Sequence, residues 1–139
     1  MTLGEFRQNV QDQFARGLEV IFVPGLLEGP NQSGDWLGSC YLSRVSEDPA
    51  RVDEVQIFVT IRVFAPYSQE GSRSPNVPFD PAPLEEVSEK IFAVIAANQT
   101  GLGAWFQRIT SIEIDPVRQG VQAILMAYDR NPGTVPLEA

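Results

Sequence analysis

From Glu54 to Ala65 the chain alternates without a break. Val55, Ile57, Val59, Ile61 and Val63 fall on one side of an extended backbone, and Gln56, Phe58, Thr60, Arg62 and Phe64 on the other. A period of two, mostly β-branched and free of internal Gly or Pro, predicts a long strand. The first face is wholly apolar and must be core. Each of its side chains contributes roughly 1.5–3 kcal/mol on burial, before entropy is subtracted. The second face mixes aromatic with polar residues and points to a partner rather than to a monomer's interior.

Upstream the period is helical. Leu3, Phe6, Val10 and Phe14 are spaced as one helix face, with Thr2 and Glu5 in the spacing of a capping box. Gly17, following Arg16, offers a left-handed stop, so a helix over about residues 3–16 is expected. Leu18 to Val23 is short, β-rich and bounded by Gly and Pro, which predicts a buried strand. Residues 24–35, punctuated by Gly and Pro, read as a loop. Trp36 to Val45 predicts a second strand, with Trp36, Gly38, Cys40 and Leu42 on one face and Leu37, Ser39, Tyr41 and Ser43 on the other. The run Ser46 to Asp53 reads as an acidic connector.

Residues 66–83 carry five of the eleven prolines. Tyr67, Val77 and Phe79 are apolar anchors within this extended loop. Loops of such length are uncommon inside compact domains and tend to be functional or disordered. The segment reads as an arm reaching a neighbouring subunit, or else as a mobile surface loop. Pro83 suits a helix start, and Leu84, Val87, Ile91, Val94 and Ile95 form the apolar stripe of a second helix ending near Asn98. Glu86 and Lys90 are spaced to pair. Trp105–Ile114 and Val121–Tyr128, joined by Asp115-Pro116, predict an antiparallel hairpin.

The element order α-β-β-β-α-β-β implies an α+β fold. A mostly antiparallel sheet of about five strands should carry both helices on one face. Residues 1–130 read as a single domain and 131–139 as an extended tail.

Composition narrows the chemistry. The chain has 139 residues, a net charge of −8 and no histidine. Without His, the Ser/His and Cys/His nucleophile pairs and His-containing zinc sites are excluded. Cys40 is the single cysteine, so no intrachain disulfide can form, and it reads as a small core residue. Glu47, Asp48, Asp53 and Glu54 cluster but lack EF-hand spacing, and read as a solvated connector. Gly101-Leu102-Gly103 follows a helix rather than preceding one, so it is not a phosphate cradle. Asn31-Gln32-Ser33 and Asn98-Gln99-Thr100 match the glycosylation pattern without a signal segment to give it meaning. Trp36 and Trp105 read as packing residues. No apolar run approaches the ~20 residues of a membrane helix, and no secretory signal is expected. No catalytic, cofactor-binding or metal-binding residue is assigned, and no enzyme activity or cofactor is expected. Arg62, among aromatics on the mixed face of the long strand, fits an interface in which a guanidinium sits between Phe58 or Phe64 and a carboxylate. An exposed face with scattered aromatics is the alternative.

In size and element order the chain resembles the tail terminator, or tail-completion, proteins of long-tailed bacteriophages. The likeness is carried by the helix Thr2–Arg16 leading into a strand, the long strand Val55–Phe64, the Pro-rich loop, the helix Pro83–Ala97, and the closing hairpin around Asp115-Pro116 with its Arg130-Asn131-Pro132 tail. The resemblance implies a structural virion protein. It would form a ring, commonly hexameric, at the head-proximal end of the tail tube, made in the host cytoplasm during assembly. Its partners would be further copies of itself, the tail tube protein and a head-completion or connector protein. DNA would pass through the lumen without specific binding, which an acidic wall favours. No membrane is involved. Phe58, Arg62, Phe64, Tyr67, Val77 and Phe79 are the candidate subunit-interface residues. The alternatives are another head–tail connector, stopper or minor tail protein and, from a different class, a small cytoplasmic ligand-binding domain or a carboxylate-using enzyme. Deleting residues 68–79 is expected to leave the domain folded while blocking ring formation, read by circular dichroism beside electron microscopy of assemblies.

Overall fold

A computed structural model describes residues 3–67, 80–98 and 106–130. The expected arm segment 68–79, with Val77 and Phe79, and the tail 131–139 lie outside the described residues, as do Thr2, Trp105 and Gly101-Leu102-Gly103. The elements are α1 (Leu3–Leu18), β1 (Ile21–Phe22), β2 (Leu37–Asp48), β3 (Arg51–Phe64), α2 (Ala82–Asn98), β4 (Phe106–Asp115) and β5 (Gly120–Arg130). The fold is α+β, with one five-stranded sheet in the order β1-β2-β3-β5-β4. β1 lies parallel to β2 and every other pair is antiparallel.

The alternation of β3 sets the core. Val55 is 4 % exposed, and Ile57, Val59, Ile61 and Val63 are fully enclosed. β5 adds Val121, Ala123, Leu125 and Ala127 to the same face. Both helices cover that face and touch one another. α1 contributes Phe6, Val10, Phe14 and Leu18, an unbroken spacing of four, and α2 contributes Leu84, Val87, Ile91, Val94 and Ile95.

Leu18 prolongs the apolar stripe of α1 by one turn and so belongs to the helix, not to a strand. The strand expected over 18–23 therefore shrinks to two residues. The left-handed residue that ends α1 is Glu19, at φ 55°, not Gly17. Gly17 does something else: a Cβ there would collide with the Val94 side chain of α2. The missing side chain is what lets the two helices approach.

The acidic connector expected over 46–53 is a hairpin instead. β2 stays paired with β3 through Glu47↔Val55 and, after a register shift, Asp48↔Arg51, and the turn occupies Pro49-Ala50. The pleat puts Glu47 on the helix face and Glu54 on the opposite one, so these two acids do not converge. Ser43 is an extra residue that bulges β2, its hydroxyl donating to the Phe58 carbonyl at 3.1 Å. Thr110 repeats the device in β4, donating to the Ile124 carbonyl at 3.0 Å.

Asp80 starts α2 by accepting the Ala82 N–H at 3.0 Å, and the Pro81 carbonyl accepts from Glu85. Helix therefore begins at Ala82, inside the segment expected to be loop. The expected Glu86–Lys90 pair forms at 3.9 Å, exposed and worth little. Asp115 holds the β4–β5 turn by accepting from the N–H groups of Val117 and Arg118, both at 3.0 Å.

Replacing Gly17 with valine should lower stability by about 1–3 kcal/mol through overpacking. Val94→Ala in the same chain should recover part of that loss. A double-mutant cycle by denaturant unfolding reads the coupling.

Candidate interaction surface

The sheet face turned away from the helices is built in cross-strand rows. Ser39, Arg62, Gln122 and Glu113 form one row, Tyr41, Thr60, Ile124 and Ser111 the next, and Arg44 and Phe58 lead a third with Met126. Cations and rings alternate along it. The Arg62 guanidinium lies 5.5 Å from the Tyr41 ring centroid, and that of Arg44 lies 5.5 Å from the Phe58 ring.

Arg62 is held differently from the sequence expectation. Its Nε donates to Gln122 Oε1 at 2.8 Å and its Nη1 reaches the Leu27 carbonyl at 3.5 Å. A neutral amide takes the place expected for a carboxylate, and Tyr41 replaces Phe58 or Phe64 as its aromatic neighbour. The register explains both: Ser39 and Gln122 flank Arg62, and Tyr41 stands on the diagonal of the same face.

The six residues expected at an interface are not one group. Phe58 and Arg62 are half-buried on this face, and Tyr67 is half-buried beside the loop that follows β1. Phe64 is 5 % exposed and belongs to the chain's own interior. It is packed so closely on Gly29 and Gly120 that a side chain at either position would strike its ring. Val77 and Phe79 fall outside the described residues.

Asn31, which in the sequence matches only a glycosylation pattern, has a structural role in the fold. It is 2 % exposed and ties the loop after β1 to the end of β3. Its Nδ2 donates to the carbonyls of Asp35 at 2.7 Å and Phe64 at 3.1 Å, and its Oδ1 accepts from Ser33 N–H at 2.8 Å. Its carbonyl accepts from Tyr67 N–H at 2.9 Å. The legible signal was Asn followed two residues on by Ser in a Gly/Pro-rich stretch, an Asx-turn pattern. The loop so fixed lies over one end of the sheet, where Leu27 N–H donates to the enclosed Ser39 hydroxyl at 3.3 Å.

Two open clefts flank the sheet. One, of about 350 Å³, is lined by Arg62, Glu113, Asp115 and Arg118 near the β4–β5 turn. The other, of about 370 Å³, lies between α1 and β2 and is lined by Arg7, Gln11, Phe22, Leu26, Cys40 and Tyr41. Among the described residues no three Cys, Asp or Glu side chains converge as metal ligands do, and no helix is long and apolar enough to cross a membrane.

No protein-family model matches the sequence, and no curated protein matches it. Among solved structures the chain is similar to the PVC sheath/tube terminator of an extracellular contractile injection system, seen by cryo-electron microscopy in its extended state. What the two share is a fold. The identity is 10 % and the TM-score 0.50, over 100 % of this chain and 61 % of the other. The chain thus spans about three-fifths of the length of that terminator.

Cys40 is buried beside α1, its Sγ 3.8 Å from the Arg7 carbonyl. Burial pushes the thiol up from 9.0 to about 12, with the Arg7 charge opposing. The folded value lies above the unfolded one, so this group's contribution to stability is complete below pH 9.0 and is lost as pH rises towards about 12. Alkylation of Cys40 at pH ~8 should run about 10²-fold or more slower in the folded than in the urea-unfolded protein. Quenched iodoacetamide labelling read by mass measures it.

Proposed function

We propose that this chain is a terminator subunit of a tail tube, assembling with copies of itself into a ring that caps the tube and stops its growth. The observation that carries the reading is the whole-chain likeness to a sheath/tube terminator. A sheet face of paired cations and rings, rather than a converging set of reactive groups, supports a role in assembly over one in catalysis.

In the finer form of the reading, the tail belongs to a long-tailed phage and the ring, commonly of six, sits at its head-proximal end. One surface meets the tube protein and the other a head-completion or connector protein. The net charge of −8 suits a lumen through which DNA slides without sticking. No reaction and no cofactor are part of this role. The solved neighbour serves an injection system, so the coarse reading holds for a phage tail and an injection device alike. A capsid joined to the capped tube distinguishes them.

Particles assembled without this chain should carry tubes of uncontrolled length, or tubes that never join a head, in electron micrographs. Normal-length tubes joined to heads in its absence would reject the proposal.

A further inference from the structure

The sheet ends in two edges that fit each other. Among the described residues, β1 pairs with β2 only at Leu37 and Gly38, so the edge of β2 from Cys40 to Glu47 has no partner, nor has the outer edge of β4. Among the described residues, the large apolar side chains left exposed are Ile21, Leu26, Val45, Phe92, Ile114 and Val117. All but Phe92 stand along these two edges or the loops beside them.

The backbone phase of both edges is the same. Val23 N–H donates to the Gly38 carbonyl at 2.8 Å, so Gly38, Cys40 and Leu42 turn their backbone groups outward. Past the Ser43 bulge the phase passes to Val45 and Glu47. Carried across the antiparallel strands β2, β3, β5 and β4, it leaves Ile112 and Ile114 outward on β4. On both edges the outward residues carry their side chains on the helix face. Residues facing one another in an antiparallel ladder share a face. A β4 edge laid on a β2 edge therefore keeps both helical layers on the same side, with the two strands running oppositely.

We propose that the β4 edge of one copy pairs antiparallel with the β2 edge of the next, making one continuous sheet through the ring. This deepens the terminator reading and rests on its self-assembly. The register sets Ile114 against Leu42, Glu113 against Arg44, Ile112 against Val45 and Ser111 against Ser46, with Ser43 left over as in the β2–β3 ladder. Exposed opposite charges meet on the mixed face and apolar side chains meet on the helix face. The β4–β5 turn then arrives beside the cleft lined by Phe22, Leu26 and Tyr41, where Val117, 72 % exposed, finds apolar walls.

The register also meets a closure condition. Within one copy Gly38, Val63, Val121 and Ile114 share a row. Moving Ile114 to Leu42 of the neighbour shifts the ladder four residues for the four antiparallel strands of each copy. About one residue of shear per strand is the ratio at which closed barrels tilt their strands ~36°. Contacts of this head-to-tail kind make a ring when the rotation between copies closes.

Two variants test the junction. The Val45 N–H points away from β3, so Val45→Pro should leave the fold intact by circular dichroism and abolish assembly. Ser46→Cys with Ser111→Cys places thiols at a non-hydrogen-bonded pair, where Cα atoms lie ~4.5 Å apart. On oxidation the double variant should give dimers and higher ladders on non-reducing gels, in solution or on isolated tubes, and either single variant should not. Rings that form normally with Val45→Pro, or form without the cross-link, overturn this pairing and leave the terminator reading standing. A chain that remains monomeric both at high concentration and with tubes overturns the two together.

Discussion

Val55, Ile57, Val59, Ile61 and Val63 leave water only if both helices lie on one side of the sheet. A central strand buried on one face dictates the register of its neighbours, because a slip of one residue would turn the whole apolar row outward. β2 and β5 are locked to β3 on that account. The helices are then locked to each other through Gly17 and Val94. The other face is only partly enclosed: Ser39, Thr60, Phe64 and Met126 are buried on it, while the Arg62–Tyr41 and Arg44–Phe58 pairs stand open for association.

The loop after β1 is a second level of organisation. It is short of apolar residues and does not fold by collapse. Asn31 supplies what the side chains do not, spending its amide and backbone on four hydrogen bonds to the loop and to the end of β3. Phe64 is the apolar counterpart, accepted between two positions that have no side chain. Buried polar groups satisfied in this way define one arrangement of the backbone.

Much of this is legible in the sequence. The period of β3 and the stripes of both helices specified the core, because burial acts on every second or every fourth residue and leaves a mark in the sequence. The α+β class followed. What was not legible depends on contacts between distant parts of the chain. Gly17 reads as a helix stop until Val94 is placed against it. Ser46 to Asp53 reads as a connector because its charges hide a ladder held by backbone bonds, which no side chain reports. Arg62 falls on the mixed face, as its place in the alternation predicts, but its partners depend on register, and register brings Tyr41 and Gln122 rather than an acid. The edge phases were unreadable for the same reason: they depend on how many strands stand between β2 and β4.

That number has a consequence for how such subunits can vary. Under the proposed edge pairing, the four antiparallel strands β2, β3, β5 and β4 separate like edges, and inserting a hairpin adds two more and preserves the match. A single added strand would reverse one border, and the helices of adjoining copies would then fall on opposite walls. Lengthened relatives built on the same plan should therefore have grown by pairs of strands or by loops, never by one.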